Sequence, residues 1–144
     1  MKDKIVLITG STDGIGKATA LQLAALGATI IVHGRSAERC LQTRYDIRQS
    51  TGNLNVDYVV ADLSAQRHVR QMAADILARY DRLHVLINNA GVIVDQRQIT
   101  EDGLELSFAV NHLAPFLLTH LLLDVLKASV PARIVNVAST VHYD

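Results

Sequence analysis

The chain has 144 residues with 14 basic and 14 acidic side chains, so its formal net charge is zero; 49% of its residues are hydrophobic and 19% charged. That balance excludes an intrinsically disordered chain, and the scattered basic residues give none of the electrostatic footprint of a nucleic-acid binder. A single cysteine, Cys40, excludes an internal disulfide and suits a reducing compartment.

The first element is the apolar run "KIVLIT" (Lys4 to Thr9), too short for a signal-peptide core or a membrane span. It leads straight into a glycine-rich turn, which is how a strand buried on both faces reads. From Gly14 the period becomes helical through Ile15, Thr19, Leu23 and Leu26, and Gly27 closes that helix. "TIIVHG" predicts a second buried strand, and Ser36 a helix N-cap for a segment that runs through Arg48 to "STGN". "NVDYVVADL" predicts the third strand, with Ser64 as the next N-cap. In the helix that follows, Val69, Met72, Ala73, Ile76 and Tyr80 form one apolar stripe. "LHVLINNAG" predicts the fourth strand. Thr100 is the expected cap of a long helix to about Ala128, Pro131 breaks the chain, and "RIVNVA" predicts a fifth strand. The Leu-rich stretch Leu113 to Leu126 is interrupted by Pro115, His120 and Asp124 and reads as a buried helix, not a membrane span. A soluble, cytoplasmic protein without a membrane partner is the expectation.

This alternation of apolar strands and helices predicts one domain over residues 1–144, an α/β fold with a parallel sheet covered on both faces. Ligands in such sheets bind beyond the carboxyl ends of the strands, where Gly10, Asp62, Asn89 and Ser139 all fall. The turn "TGSTDGIGK" lets the backbone bend sharply and lets a phosphate approach free N–H groups at a helix N-terminus. Its spacing, Gly10-x-x-x-Gly14-x-Gly16, is not the G-x-G-x-x-G fingerprint. Nor is it a P-loop, which would need glycine at position 11 and Ser or Thr at 18, where Ser11 and Ala18 stand.

Together with "NNAG" at residues 88 to 91, the glycine turn resembles the signatures of the short-chain dehydrogenase/reductase family, T-G-x-x-x-G-x-G and N-N-A-G. The resemblance covers the whole chain and implies a three-layer, Rossmann-type doubly wound sheet, here incomplete with about five strands. It also implies that Gly10, Ser11, Thr12, Asp13, Gly14, Ile15 and Gly16 form the loop that holds a dinucleotide pyrophosphate. Asp62, with Leu63 beside it, matches the residue that bonds the adenine amino group. Asn89 matches the asparagine that ties the central strands together, Ala90 follows it, and Gly91 lets the cofactor ribose come close. After the second strand the sequence reads "HGRS", with no carboxylate for ribose hydroxyls; Arg35 offers a guanidinium fork and Ser36 a further donor for the 2′-phosphate of NADP. The expected cofactor is NADP(H).

The segment from "TEDG" to "STVH" is similar to the retinol-dehydrogenase-like branch of that family, departing from it at Pro115 and Ala138. By that resemblance Asn111 supports a water in a proton relay, and Ser139 hydrogen-bonds a substrate carbonyl or hydroxyl. His112 and His120 lie on one helix without an obvious third ligand, so a structural role is expected and no metal. The Leu-rich helix resembles one that family members bury against a partner subunit, and the fifth strand is left as an apolar edge. A homodimer through either surface is compatible with both. The family's general acid is a tyrosine with a lysine four residues on; that lysine lowers the tyrosine pKa. No such pair follows Ser139, and Tyr143 has only one residue after it. The expectation is therefore the cofactor-binding portion of an NADP(H)-dependent oxidoreductase acting on a small carbonyl or alcohol, a fragment or truncated form inactive by itself. The alternative is a truncated module that binds NADP(H), or pairs through its edge, without catalysis.

Overall fold

Five short strands alternate with helices in the computed structural model, which describes residues 1–140. They are β1 (Ile5–Ile8), β2 (Thr29–Gly34), β3 (Val56–Val60), β4 (Val85–Asn88) and β5 (Arg133–Asn136), all parallel in the order β3-β2-β1-β4-β5. The chain winds outward from β1 to β3, then returns to the centre and winds the other way through β4 and β5. Ile8 of β1 pairs with Val32 on one side and Ile87 on the other. The central strands therefore end level, and the loops beyond them share one rim at the point where the winding reverses. This is the expected doubly wound α/β sheet.

Helices α1 (Gly14–Ala25) and α2 (Ala37–Thr51) cover one face, and α3 (Gln66–Arg79) covers the other together with α5 (Ala114–Ala128). Alternate strand residues supply the two faces. Val6, Ile8, Ile30 and Val32 pack with Ala20, Ala24 and Ile47, whereas Leu7, Ile31, Val59 and Leu86 pack with Val69, Met72, Ile76, Leu118 and Leu122. Burial on both sides is what makes the strands unbroken apolar runs rather than alternating ones.

Ser36 caps α2 as its position predicts, accepting from the Arg39 amide at 3.3 Å. Two other expected caps are corrected. Ala65, not Ser64, occupies the N-cap of α3 and makes no side-chain bond there; Asp102 Oδ2 accepts from the Gln66 amide at 2.8 Å, and Glu101 pairs with the Arg67 guanidinium. The capping carboxylate comes from 36 residues away, so no local pattern announces it. Thr100 does not start the long helix either. "TEDG" closes a turn in which Gly103 donates to the Thr100 carbonyl at 3.0 Å and Ile99 bridges Glu105 in antiparallel fashion. The helical path begins at α4 (Leu106–Phe108), where the Glu105 carboxylate accepts from the Ser107 and Phe108 amides at 2.9 and 2.8 Å. It then passes through a π turn (Ala109–Leu113) into α5.

Leu106–Ala128 is long and apolar enough to cross a membrane by length and composition alone. In the fold, one stripe of it is core: Ala109, Val110, Ala114, Leu118, Leu122 and Leu126 are buried, while Phe116 is 69% exposed. The expectation of a buried helix thus holds for one face only. His112 and His120 lie on the exposed face, where His112 stacks on Phe108, and no cluster that would hold a metal occurs among the described residues. Among the described residues β5 pairs with β4 alone, and Ile134, Val135 and Val137 are each at least 40% exposed, an apolar edge as predicted.

Ser129, fully buried at the end of α5, accepts from the Leu83 amide at 2.9 Å and donates to the Val125 carbonyl at 2.6 Å. Ser129→Ala leaves the Leu83 N–H without its acceptor beside β4. It is expected to lower unfolding free energy by about 1–3 kcal/mol in urea titrations.

Candidate functional site

The rim above β1 and β4 opens into a cleft of about 710 Å³. Its foundation is a set of hydrogen bonds between Thr9 and Asn89, the residues just past the two central strands. The Thr9 hydroxyl accepts from the Asn89 and Ala90 amides, both at 3.0 Å, and donates to the Ile87 carbonyl at 3.4 Å. In return the Asn89 carboxamide donates to the Thr9 and Gly10 carbonyls at 2.9 and 3.0 Å. Asn89 ties the central strands together, as its position implied.

This knot sets how close the glycine loop comes. Gly10 has φ +63°, and a Cβ there would lie 2.8 Å from the Ala90 Cα. A Cβ on Gly16 would strike the Gly10 carbonyl oxygen and the Asn89 amide nitrogen. The first turn of α1 is therefore pressed against the loop that precedes it, and only glycine fits. Ser11 is fully buried beneath the cleft; its hydroxyl donates to the Ile8 carbonyl at 2.8 Å and accepts from the His33 amide at 2.9 Å. Asp13 N-caps α1, its Oδ1 accepting from the Gly14 amide at 2.8 Å. Gly10, Thr12 and Asp13 line the cleft from the loop, while Ile15 is 69% exposed on the first turn of α1.

His33 escapes a reading of the sequence. Its Nδ1 accepts from the Gly10 amide at 3.0 Å and its Nε2 lies 3.1 Å from the Ala61 carbonyl, to which it donates in the neutral tautomer. The ring thus pins the glycine loop to the ends of β2 and β3. Its signal in the sequence was a lone polar residue at the end of an apolar strand. Burial outweighs the Ala61 bond and the Asp62 charge and pushes the imidazole pKa down to about 4.

Arg35, Ser36, Asp62 and Leu63 line the cleft beyond β2 and β3, and Asn89, Ala90 and Gly91 line it beyond β4. Burial pushes the Asp62 carboxyl up, yet the Ser64 amide, at 2.9 Å, and the Ser64 hydroxyl bonded to it, with Arg35 nearby, leave it below the ordinary carboxylate range. Asp62 is charged at neutral pH. Asn111 sits in the π turn, and its carboxamide both accepts from the Val92 amide and donates to the Val92 carbonyl, each at 2.8 Å. It holds the segment after β4 to the long helix. Ser139 lies three residues past the end of β5 and is exposed. Tyr143 lies outside the described residues. Arg39, which also lines the cleft, was not singled out by the sequence because it reads as a solvated helix residue.

An anion-ready helix N-terminus, a glycine loop and a cation-lined far end at a sheet switch point define a nucleotide-binding α/β domain. Residues 4–143 match the short chain dehydrogenase family, and the chain belongs to it. It is 48% identical to retinol dehydrogenase 13 of Homo sapiens over 139 residues, which is 96% of this chain and 42% of that protein. It is 46% identical to human retinol dehydrogenase 11, covering 97% of this chain and 44% of the relative. The chain thus spans about two-fifths of these relatives. A metagenomic short-chain oxidoreductase in complex with NADP superposes with a TM-score of 0.85 at 28% identity, over 98% of this chain and 64% of that one. A short chain dehydrogenase from Escherichia coli CFT073 complexed with NADPH superposes with a TM-score of 0.85 at 30% identity, over 100% of this chain and 62% of that one.

Gly16→Ala is expected to lower stability by about 1–3 kcal/mol in chemical denaturation, because the methyl group meets backbone and a strand-tying amide rather than a flexible side chain. A second outcome follows from His33. Its ring takes a proton near pH 6.5 in the unfolded chain and only near pH 4 in the folded one. Between those values the unfolded state binds more protons, so stability falls as pH is lowered from about 6.5 to about 4, by about 3 kcal/mol in all. Urea titrations across that range should show the slope, and His33→Gln should flatten it.

Proposed function

We propose that the chain is the cofactor-binding portion of an NADP(H)-dependent oxidoreductase that interconverts a carbonyl and an alcohol. The observation that carries the cofactor choice is the end of β2. Arg35 and Ser36 line the cleft there, and "HGRS" contains no carboxylate to accept ribose hydroxyls. The residues fit the group: the α1 N-terminus suits a pyrophosphate, Arg35 a 2′-phosphate, and charged Asp62 an amino group acting as donor. The NADP and NADPH complexes among the structural neighbours support the same choice. When bound, the nicotinamide supplies or accepts the hydride.

In this reading Asn111 keeps the wall beside Gly91 in place through Val92. Ser139 would donate a hydrogen bond to the substrate oxygen. The names of the relatives support a primary alcohol of the retinol type, or its aldehyde, as the substrate class. Tyr45, Tyr58 and Tyr80 are followed four positions later by Gln49, Asp62 and His84, so none of these three forms a tyrosine–lysine pair for proton transfer. The second reading is a module that binds NADP(H) without turning over.

The test is a side-by-side titration of NADPH and NADH followed by nicotinamide fluorescence. NADPH should bind about tenfold or more tighter, and Arg35→Ala should bring the two within about threefold. Binding of neither, or a preference for NADH, defeats the proposal. Turnover of an alcohol or aldehyde by the 144-residue chain would dismiss the non-catalytic reading.

A further inference from the structure

His33, next to the end of β2, is 2% exposed and yet lines the cleft. Here β2 meets the glycine loop residue by residue. The Ser11 amide donates to the His33 carbonyl and the His33 amide to the Ser11 hydroxyl, each at 2.9 Å. The Gly10 amide donates to His33 Nδ1 at 3.0 Å. One residue on, a Cβ at Gly34 would lie 2.6 Å from the Thr12 methyl carbon.

An apolar side chain would serve packing at this depth, as Ile31 and Val32 do just before it. An imidazole there has to be desolvated, and both of its nitrogens need partners. Ala61 supplies one of them, its carbonyl 3.1 Å from Nε2. The other bond, from Nδ1, acts on the most pliable residue of the loop. Gly10 has φ +63°, and the peptide groups on its two sides are held from opposite directions. His33 takes the amide from the side of β2, while Asn89 takes the carbonyl, at 3.0 Å, from the side of β4. Without such ties a glycine populates both signs of φ.

We propose that His33 is a positioning residue for the dinucleotide: by holding the Gly10 amide it sets the glycine loop in its receiving shape before the pyrophosphate arrives. This rests on reading the cleft as an NADP(H) site. A loop that the ligand itself must order costs part of the binding free energy, and a loop ordered beforehand does not. The pyrophosphate is common to both cofactors, so His33 acts on NADPH and NADH alike, unlike Arg35. A nucleotide without a pyrophosphate gains nothing from it.

NADPH, NADH and 2′-AMP, which has no pyrophosphate, are titrated against the unsubstituted chain, His33→Asn, His33→Gln and Arg35→Gln. The Asn carboxamide oxygen stands where Nδ1 does along the side chain and can accept from the Gly10 amide. The longer Gln carries its amide near the place of Nε2 and reaches towards Ala61 instead. His33→Gln should weaken both dinucleotides about tenfold and leave 2′-AMP within about twofold, while His33→Asn keeps all three within about threefold. Nitrogen NMR of the labelled imidazole at neutral pH should show the proton on Nε2. The positioning role is overturned if Gln leaves dinucleotide affinity unchanged, if Asn loses as much as Gln, or if 2′-AMP weakens in step. A proton on Nδ1 overturns it without any substitution. In each of these cases the site reading stands as long as Arg35→Gln still erodes the NADPH preference. If the unsubstituted chain binds neither dinucleotide, the site reading fails and the role of His33 with it.

Discussion

The contact on which the rest of the site depends is the reciprocal hydrogen bonding of Thr9 and Asn89. Two central strands end side by side, and the residues just past them exchange side-chain bonds instead of turning to solvent. Because the Asn89 carboxamide also holds the Gly10 carbonyl, the glycine loop is registered against β4 and not merely against its own strand. The closeness of Gly16 to both follows from that. A helix N-terminus presented so near the sheet edge is a consequence of packing, and its readiness for an anion is a consequence of the helix.

The site divides its work by interaction type. The N-terminus of α1 presents backbone amides and a helix dipole beside the glycine loop. Charged side chains, Arg35, Asp62, Asp13 and Arg39, line the cleft as well. His33 belongs to neither set. Kept neutral by burial, it acts as a rigid two-ended connector between the glycine loop and the end of β3.

The central strands β1, β2 and β4 were legible because both faces of the sheet are covered there, so each is an almost unbroken apolar run bounded by glycine or polar residues. The glycine loop and "NNAG" were legible because close backbone approach admits few residue types. Ser36 read correctly as a cap because its partner lies three residues on. Ser64 and Thr100 misled for the opposite reason. The α3 amide is met by Asp102 from another loop, and the long helix is capped by Glu105 after a turn that Thr100 closes. His33 and Arg39 were invisible on different grounds: a buried histidine in a strand shows only its anomaly, not its partners, and a surface arginine shows only its charge. The double bond of Asn111 to Val92 likewise requires two segments to be seen together.

The Thr9–Asn89 tie joins residues 80 apart in sequence. Contacts of that span close a long loop of chain before they repay it, so they form late relative to hairpins and helices. During synthesis the glycine loop emerges early and can meet His33 once β2 has formed, yet its tie to Asn89 waits until β4 has left the ribosome. For most of its birth the chain carries α1 and α2 on a sheet whose ligand-facing edge is unassembled. The His33 contacts come with the earlier βα units, and the Thr9–Asn89 tie completes the rim only when "NNAG" docks.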